Sequence, residues 1–435
     1  MRVGIYLGRH AGGGGGIAVY ARSLVAELFR LLERQRSDEV ELVFYGAKSL
    51  FEPALLDELE LAPVLFAAKG VDLFFGAASC FRVLPNGAKC RVLIRFLPES
   101  FSRYADLLLD QMLVPVLLLR DRVHVLHSAA NYGIIAARAA QVVTVHDLYQ
   151  AWPIESAALK RAQSGCVKPW TALTRMYYRA LFAWQFRRVS HVVTDCEEVA
   201  AEICRRYKFD RGRISTIPLG LDHSFERFFA LGKERGKFDG ENAAWLQRNE
   251  LEPGYVLVFA SSDPRKNMAR TLEAWLALPE KLRNRTLVLK ANSARAKSAA
   301  ERQLGVVPHA GCWKILPWSA REEMPFLYWN AAVVLVPTLA EGFGLPAVEA
   351  LACGSVVVSG PHEELAGRRD LAGRLFLCEP EELKSISQAL VSALEEADKG
   401  RVRLELDQAG AVRLMADAVR ETFAVYHRTA LRAAR

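Results

Sequence analysis

The sequence predicts an α/β protein built from two doubly wound, parallel-sheet domains. Three observations carry that prediction: the length, the alternation of short apolar runs with helical patterns, and one charged interval where the alternation stops. The chain has 435 residues, too many for one ordinary core and ample for two. Hydrophobic residues make up 51%, so both halves can bury a core. In the first half, strand candidates fall at residues 3–7, 41–45, 123–126, 142–145, 191–194 and 214–217. After a gap they resume at 256–260, 286–289, 333–336 and 355–358. Many are continuous Val/Ile/Leu runs, as in strands buried on both faces. Their alternation with helical stretches predicts parallel sheets with crossover helices. Between about 222 and 253 the chain is charged, carries Gly232, Gly236 and Gly240, and shows no strand signal. That interval marks the boundary between an N-terminal domain, 1–221, and a C-terminal domain, 222–411. Residues 412–435 read as a helix: Met415, Val419 and Phe423 recur at spacing four, and Arg420, Arg428, Arg432 and Arg435 form a basic outer face.

Composition excludes several classes. No segment reaches the roughly 18 unbroken apolar residues of a membrane-spanning helix; the longest candidate, 107–119, is interrupted by Asp110, Gln111 and Pro115. Residues 3–7 read as a strand rather than a secretory segment, so the protein is expected to act in the cytoplasm. Eight cysteines are scattered without a Cys-x-x-Cys pair and no His cluster has zinc spacing, which predicts reduced, packed thiols and no metal site. The net charge of +8 suits an anionic partner such as a nucleoside diphosphate or an acidic membrane surface. No nucleic-acid module is visible.

Four segments carry chemistry, each placed at the carboxyl end of a predicted strand. The first is a glycine run, 12–16, ahead of a helix with Leu24, Leu28, Leu31 and Leu32 on one side. Such a run permits close backbone approach, and the helix start attracts an anion. Alone it is equally a surface turn, and it does not fit the dinucleotide fingerprint. The second is Val145-His146-Asp147-Leu148, where His146 can donate to a substrate hydroxyl, or simply cap the strand or pair with Asp147. The third is Asp263-Pro264-Arg265-Lys266-Asn267; two adjacent cations can neutralise a leaving diphosphate, or merely sit solvated in a turn. The fourth runs Glu341-Gly342-Phe343-Gly344-Leu345-Pro346 to Glu349, with Pro346 at a helix start. Its two carboxylates, one in the loop and one in the helix's first turn, suit the hydroxyls of a sugar and a ribose. Either Glu alone could be a solvated side chain; the whole arrangement is much harder to explain so. The order of the four along the chain lets them line one cleft.

The fourth segment resembles the E-x7-E signature of glycosyltransferase family four. That is a large retaining group containing many bacterial mannosyltransferases of surface-polysaccharide synthesis. Pro264-Arg265-Lys266-Asn267, Val145-His146-Asp147-Leu148 and Gly16-Ile17-Ala18-Val19-Tyr20 are similar to other segments of that family, in the same order. Ala18 and Val19 stand where the family usually has Gly-Arg. The resemblance implies the GT-B fold, two facing Rossmann-like domains with the C-terminal helix returning to the first. It implies that Glu341 contacts the transferred sugar, His146 touches that sugar near the reacting carbon, and Arg265 and Lys266 hold the diphosphate. Gly15 and Gly16 let the backbone approach the donor, Phe343, Gly344 and Leu345 line it, and Glu349 binds the ribose.

The expected activity is transfer of a hexose, with mannose from GDP-mannose favoured, to a saccharide or polyprenyl-linked saccharide acceptor. The resemblance implies front-face attack with retention, and no cofactor or metal is expected beyond the nucleotide sugar. Arg175, Arg179, Arg187 and Arg188 among aromatics suit peripheral contact with an anionic membrane, and equally an ordinary solvated helix face. Two other classes remain open: a non-catalytic nucleotide-sugar-binding protein of the same fold, and a Rossmann-fold oxidoreductase.

Overall fold

The structure, a computed structural model, describes residues 1–8, 16–35, 40–47, 77–83, 89–97, 103–152, 169–305, 313–317, 319–361, 365, 373–399 and 413–433. It divides into two compact units: Met1–Pro153 with Pro169–Gly220 and Leu414–Arg435, and Leu221–Arg413.

In the first unit, β1 (Arg2–Gly8) leads into α1 (Gly16–Gln35), then β2 (Glu41–Ala47), β3 (Ala77–Val83) and β4 (Lys89–Leu97). There follow α2 (Arg103–Arg120), β5 (Val125–Ser128), β6 (Ala140–Val145), α3 (Pro169–Arg188), β7 (His191–Thr194), α4 (Glu197–Tyr207) and β8 (Ile214–Thr216). Eight strands form one sheet in the order β3-β4-β2-β1-β5-β6-β7-β8. The apolar runs are buried as expected; every residue of β5, β6 and β7 is buried. In α1, Leu24, Leu28 and Leu32 are buried against the sheet.

The second unit begins with two helices, α5 (His223–Gly232) and α6 (Arg235–Arg248), across the charged interval. It continues β9 (Tyr255–Ala260), α7 (Met268–Leu276), β10 (Leu287–Ala291), α8 (Ala294–Gly305), β11 (Trp313–Leu316), α9 (Met324–Asn330) and β12 (Ala331–Val336). Then come α10 (Leu345–Ala352), β13 (Val356–Ser359), β14 (Leu375–Leu377) and α11 (Leu383–Asp398). Its six strands, all parallel, run β11-β10-β9-β12-β13-β14. Trp275 of α7 is fully buried beside Val256, Val258 and Leu289 in this core.

The last helix, α12 (Met415–Ala433), belongs to the first unit and lies on α1, with Met415, Val419, Phe423 and Tyr426 buried. Each unit is therefore a Rossmann-like α/β layer structure, and the C-terminal helix returns to the first.

Two features depart from the expected pattern. β3 pairs antiparallel with β4 at the edge of an otherwise parallel sheet; five residues, 84–88, separate the two strands, enough for a hairpin but not for a crossover helix. β4 also escapes an apolar reading because it carries Arg95, yet that side chain is buried and paired with Asp121, which Tyr45 also contacts through its hydroxyl at 2.9 Å. β11 and β14 are short edge strands of four and three residues, too brief to show a period.

Candidate active site

The second sheet reverses its order between β9 and β12. Crossovers from β9 go one way and from β12 the other, so their carboxyl ends form the switch point at which open α/β sheets bind ligands. β9 is followed by a short turn, Pro264–Lys266, capped by Asp263, whose side chain accepts from Arg265 N at 3.0 Å. β12 is followed by residues 337–344 and α10. The loops are laced together: Leu339 N donates to Arg265 O at 2.8 Å, and Asn267 Nδ2 donates to Pro337 O at 3.0 Å and Pro380 O at 2.7 Å. Asn267 holds a left-handed conformation, φ 55, which asparagine tolerates well.

This lacing brings Lys266 to Glu341, with Nζ to Oε1 at 2.6 Å. Arg265 turns its guanidinium to Asp263 Oδ2, at 2.9 Å from Nε and 2.7 Å from Nη2. Burial alone would raise the Asp263 carboxyl; Arg265, by hydrogen bond and charge, holds it below its usual range. Both cations keep about a third of their side-chain surface exposed, so both pairs are of the weak, exchangeable kind. Gly344, at φ 78, ends the loop in a conformation that favours glycine, and Pro346 opens α10. Phe343 and Gly344 are buried and Leu345 is half-buried.

Gly360, just past β13, underpins the same loop. A Cβ there would lie 2.6 Å from Thr338 O. Gly360→Ala is expected to cost about 1–3 kcal/mol through overpacking and to lower turnover by displacing the segment that carries Glu341. A thermal melt together with donor kinetics checks this; native values in both would show that the loop gives way freely.

Glu349 is held differently. It is buried, 3% exposed, and both carboxylate oxygens are engaged. Arg321 Nη2 donates to Oε1 and the Tyr328 hydroxyl to Oε2, the latter at 2.8 Å. Arg321 Nε also donates to Asp222 Oδ2 at 2.6 Å, and its guanidinium lies 5.0 Å from the Phe225 ring centre. Asp222 in turn caps α5. Sequence reasoning missed Arg321, Tyr328 and Asp222. Arg321 stands in a charged Arg-Glu-Glu run that looks solvated, and Asp222 opens the charged interval that was read only as a domain boundary.

In the first unit, Gly16 is the first residue of α1, following β1, and Gly15 lies outside the described residues. His146 directly follows β6 and is buried. Its Nδ1 donates to Asp195 Oδ2 at 2.5 Å, and its main-chain N donates to Asn131 Oδ1 at 2.8 Å. The Tyr20 ring stands edge-on to the His146 ring, centroids 4.7 Å apart. Nearby, Thr144 Oγ1 lies 2.9 Å from the Tyr20 hydroxyl and 2.8 Å from His127 Nε2, and His127 Nδ1 lies 2.5 Å from the Tyr426 hydroxyl of α12.

A cavity of about 380 Å³ opens beside the 261–267 turn, lined by Ser261, Asp263, Asn267, Arg270, Arg302 and Leu339 among others. Lys266, Glu341 and Glu349 are not in its wall. Among the described residues, no group of three or more His, Cys, Asp or Glu side chains is arranged to hold a metal ion.

Comparison with known proteins matches two family models in succession, Glycosyltransferase Family 4 over residues 14–225 and Glycosyl transferases group 1 over residues 254–396. The chain is 26% identical over 207 residues to the O-antigen chain mannosyltransferase B of Escherichia coli, covering 47% of this chain and 51% of that protein. It is 26% identical over 275 residues to the MMP alpha-(1->4)-mannosyltransferase of Mycolicibacterium hassiacum, covering 60% of each. These alignments span about half to three fifths of the relatives' length. In fold, the chain is similar to a glycosyltransferase from Rickettsia africae, with a TM-score of 0.62, 12% identity and 98% of both chains covered.

Proposed function

The chain belongs to glycosyltransferase family 4, with a group 1 second domain, and from that premise we propose that it transfers a hexose from a nucleoside diphosphate sugar to a saccharide or lipid-linked saccharide acceptor, with retention. Mannose from GDP-mannose is the proposed donor, since the two relatives described above are named mannosyltransferases. The observation that carries the reading is the Lys266–Glu341 contact. It joins a cation suited to a leaving diphosphate to a carboxylate suited to sugar hydroxyls, at the switch point between β9 and β12.

During transfer, negative charge grows on the departing diphosphate while the sugar becomes oxocarbenium-like. Arg265 and Lys266 oppose the first charge as preorganised electrostatics. Each would exchange a carboxylate for a phosphate oxygen, a swap between charge-assisted hydrogen bonds of similar strength. Front-face attack needs no protein nucleophile, because the diphosphate takes the acceptor proton.

A donor screen by thermal melting tests the reading. A ligand binding only the folded state at a hundredfold excess over its Kd adds about 2.7 kcal/mol. GDP-mannose should raise the melting temperature and support transfer; a protein that responds to no nucleotide sugar and transfers nothing overturns the proposal. Transfer should also persist in excess EDTA, because Arg265 and Lys266 supply the charge a divalent ion would bring. Loss of transfer in EDTA, restored by manganese, would sink that part.

We further propose that the enzyme works at the inner face of the cell membrane. No helix among the described residues is long and apolar enough to cross one. Yet α2 exposes Leu108, Met112, Val116 and Leu119, each more than half accessible, and α3 exposes Leu173, Met176 and Trp184. Arg187 and Arg188 close α3, whereas Arg179 turns its guanidinium to within 4.1 Å of the Trp152 ring centre. An apolar face beside basic residues suits an anionic bilayer, at about 1 kcal/mol per basic residue. Flotation with anionic liposomes should recover more protein than with neutral ones. Equal recovery would remove the proposal.

A further inference from the structure

The contact between His146 and Asp195 has chemistry that the transferase reading leaves unused. His146 is buried, and its Nε2 has no hydrogen-bond partner within the protein; nor has Asp195 Oδ1. Buried polar atoms are rarely left so, and a ring nitrogen in that state is explained when a ligand supplies the partner. The ring has little freedom to turn away. Nδ1 is fixed by Asp195 at 2.5 Å, the main chain by Asn131, and the ring edge by Tyr20. Asp195 follows β7 directly, so two adjacent strands place the two side chains.

We propose that Asp195 is a positioning residue: it holds the His146 ring through Nδ1, so that Nε2 is left to donate a hydrogen bond to a substrate oxygen. The nature of that ligand rests on the transferase reading; the arrangement of the pair does not.

The proton inventory follows from the geometry. A carboxylate accepts only, so Nδ1 carries a proton, and donation from Nε2 requires the imidazolium. Burial by itself lowers the basicity of His146, but Asp195, by charge and hydrogen bond, then Asp147, by charge, and the Ala129 main-chain carbonyl, which faces the ring too loosely to close a hydrogen bond, raise it on balance. The other groups facing the ring do not compete for the proton. Tyr20 from α1 stays a neutral phenol, raised by burial, and burial pushes His127 of β5 down to about 3. The imidazolium is therefore present below the His146 pKa and lost as pH rises through it. Removing the Asp195 charge lowers that pKa, so the loss moves to lower pH.

Asp195→Asn keeps the shape and a hydrogen-bond acceptor and removes only the charge. The test measures the His146 imidazole titration by NMR on the full-length protein with labelled histidine, assigned with His146→Gln, and kcat against pH for the same proteins. The expected result is a folded variant whose imidazole titrates at lower pH than in the wild type. Its kcat should be about ten- to a hundredfold lower at neutral pH, the worth of a charged hydrogen bond. The alkaline limb should move to lower pH, with the donor KM little changed. An unchanged titration, or a loss of activity equal at every pH, overturns the proposal. A wild type that transfers no hexose, with the titration still shifted in the variant, would overturn the transferase reading and leave the positioning role of Asp195 standing.

Discussion

Glu341→Gln is expected to lower kcat about ten- to a hundredfold while leaving the donor KM within a few-fold of native. Removing a hydrogen bond to a charged group costs about 1.5–3 kcal/mol, and that cost falls on kcat only if the interaction strengthens in the transition state. A carboxylate beside a sugar gaining positive charge meets that condition. The ion pair adds a second consequence. Glu341 Oε1 holds Lys266 Nζ at 2.6 Å, so the amide releases Lys266 toward the diphosphate, and free nucleoside diphosphate should bind at least as well as to the native protein. Lys266→Gln should do the opposite, weakening nucleotide binding about tenfold. A double-mutant cycle on kcat then reads their coupling, because residues in contact are not additive. Native kinetics in folded Glu341→Gln would remove the E-x7-E segment from the chemistry and with it the main support for the proposed reaction.

That the two loops meet was legible in part. The run at 256–260 and the run at 333–336 are continuous and apolar, and one is followed by Ser261-Ser262-Asp263-Pro264 and the other by Pro337-Thr338, so both strand ends could be placed from the sequence. Which strands neighbour each other is a long-range property, and only the sheet order puts β9 beside β12. β4 was not legible because Arg95 looks solvated until Asp121, 26 residues on, is found beside it. His127 and Tyr426 escaped for the same reason: 299 residues separate them, and no local pattern encodes a buried polar contact at that range. Glu349 lies in the helix after the glycine loop, but beyond the first turn where the sequence reading put it. Its burial was not foreseen, because the expected cleft position does not show that Arg321 and Tyr328 already occupy its oxygens.

The burial of Glu349 changes what its substitution should do. A solvated ribose contact would tolerate Glu349→Gln without loss of stability. Here the carboxylate is one arm of a buried cluster in which Arg321 bridges Glu349 and Asp222, and Arg321 is itself held strongly cationic: burial opposes its charge, but Glu349 and Asp222 outweigh it. Arg321→Met should therefore be the more damaging change. It leaves two buried carboxylates without their shared cation, and breaking such a pair costs about 3–5 kcal/mol. Glu349→Gln keeps an oxygen for Arg321 and a partner for the Tyr328 hydroxyl, and Arg321 still has Asp222, so it should cost less. The order reverses for function if the ribose hydroxyls donate to Glu349, since each carboxylate oxygen has a lone pair left after its protein contact. Glu349→Gln should then raise the donor KM and the nucleoside diphosphate Kd about ten- to a hundredfold, with kcat largely kept because the ribose does not react. Thermal melts and nucleotide titrations on both variants separate the two effects. If Arg321→Met melts at the native temperature, the cluster does not hold Glu349. If Glu349→Gln binds nucleotide as tightly as the native protein, Glu349 is a structural residue and the ribose is held elsewhere.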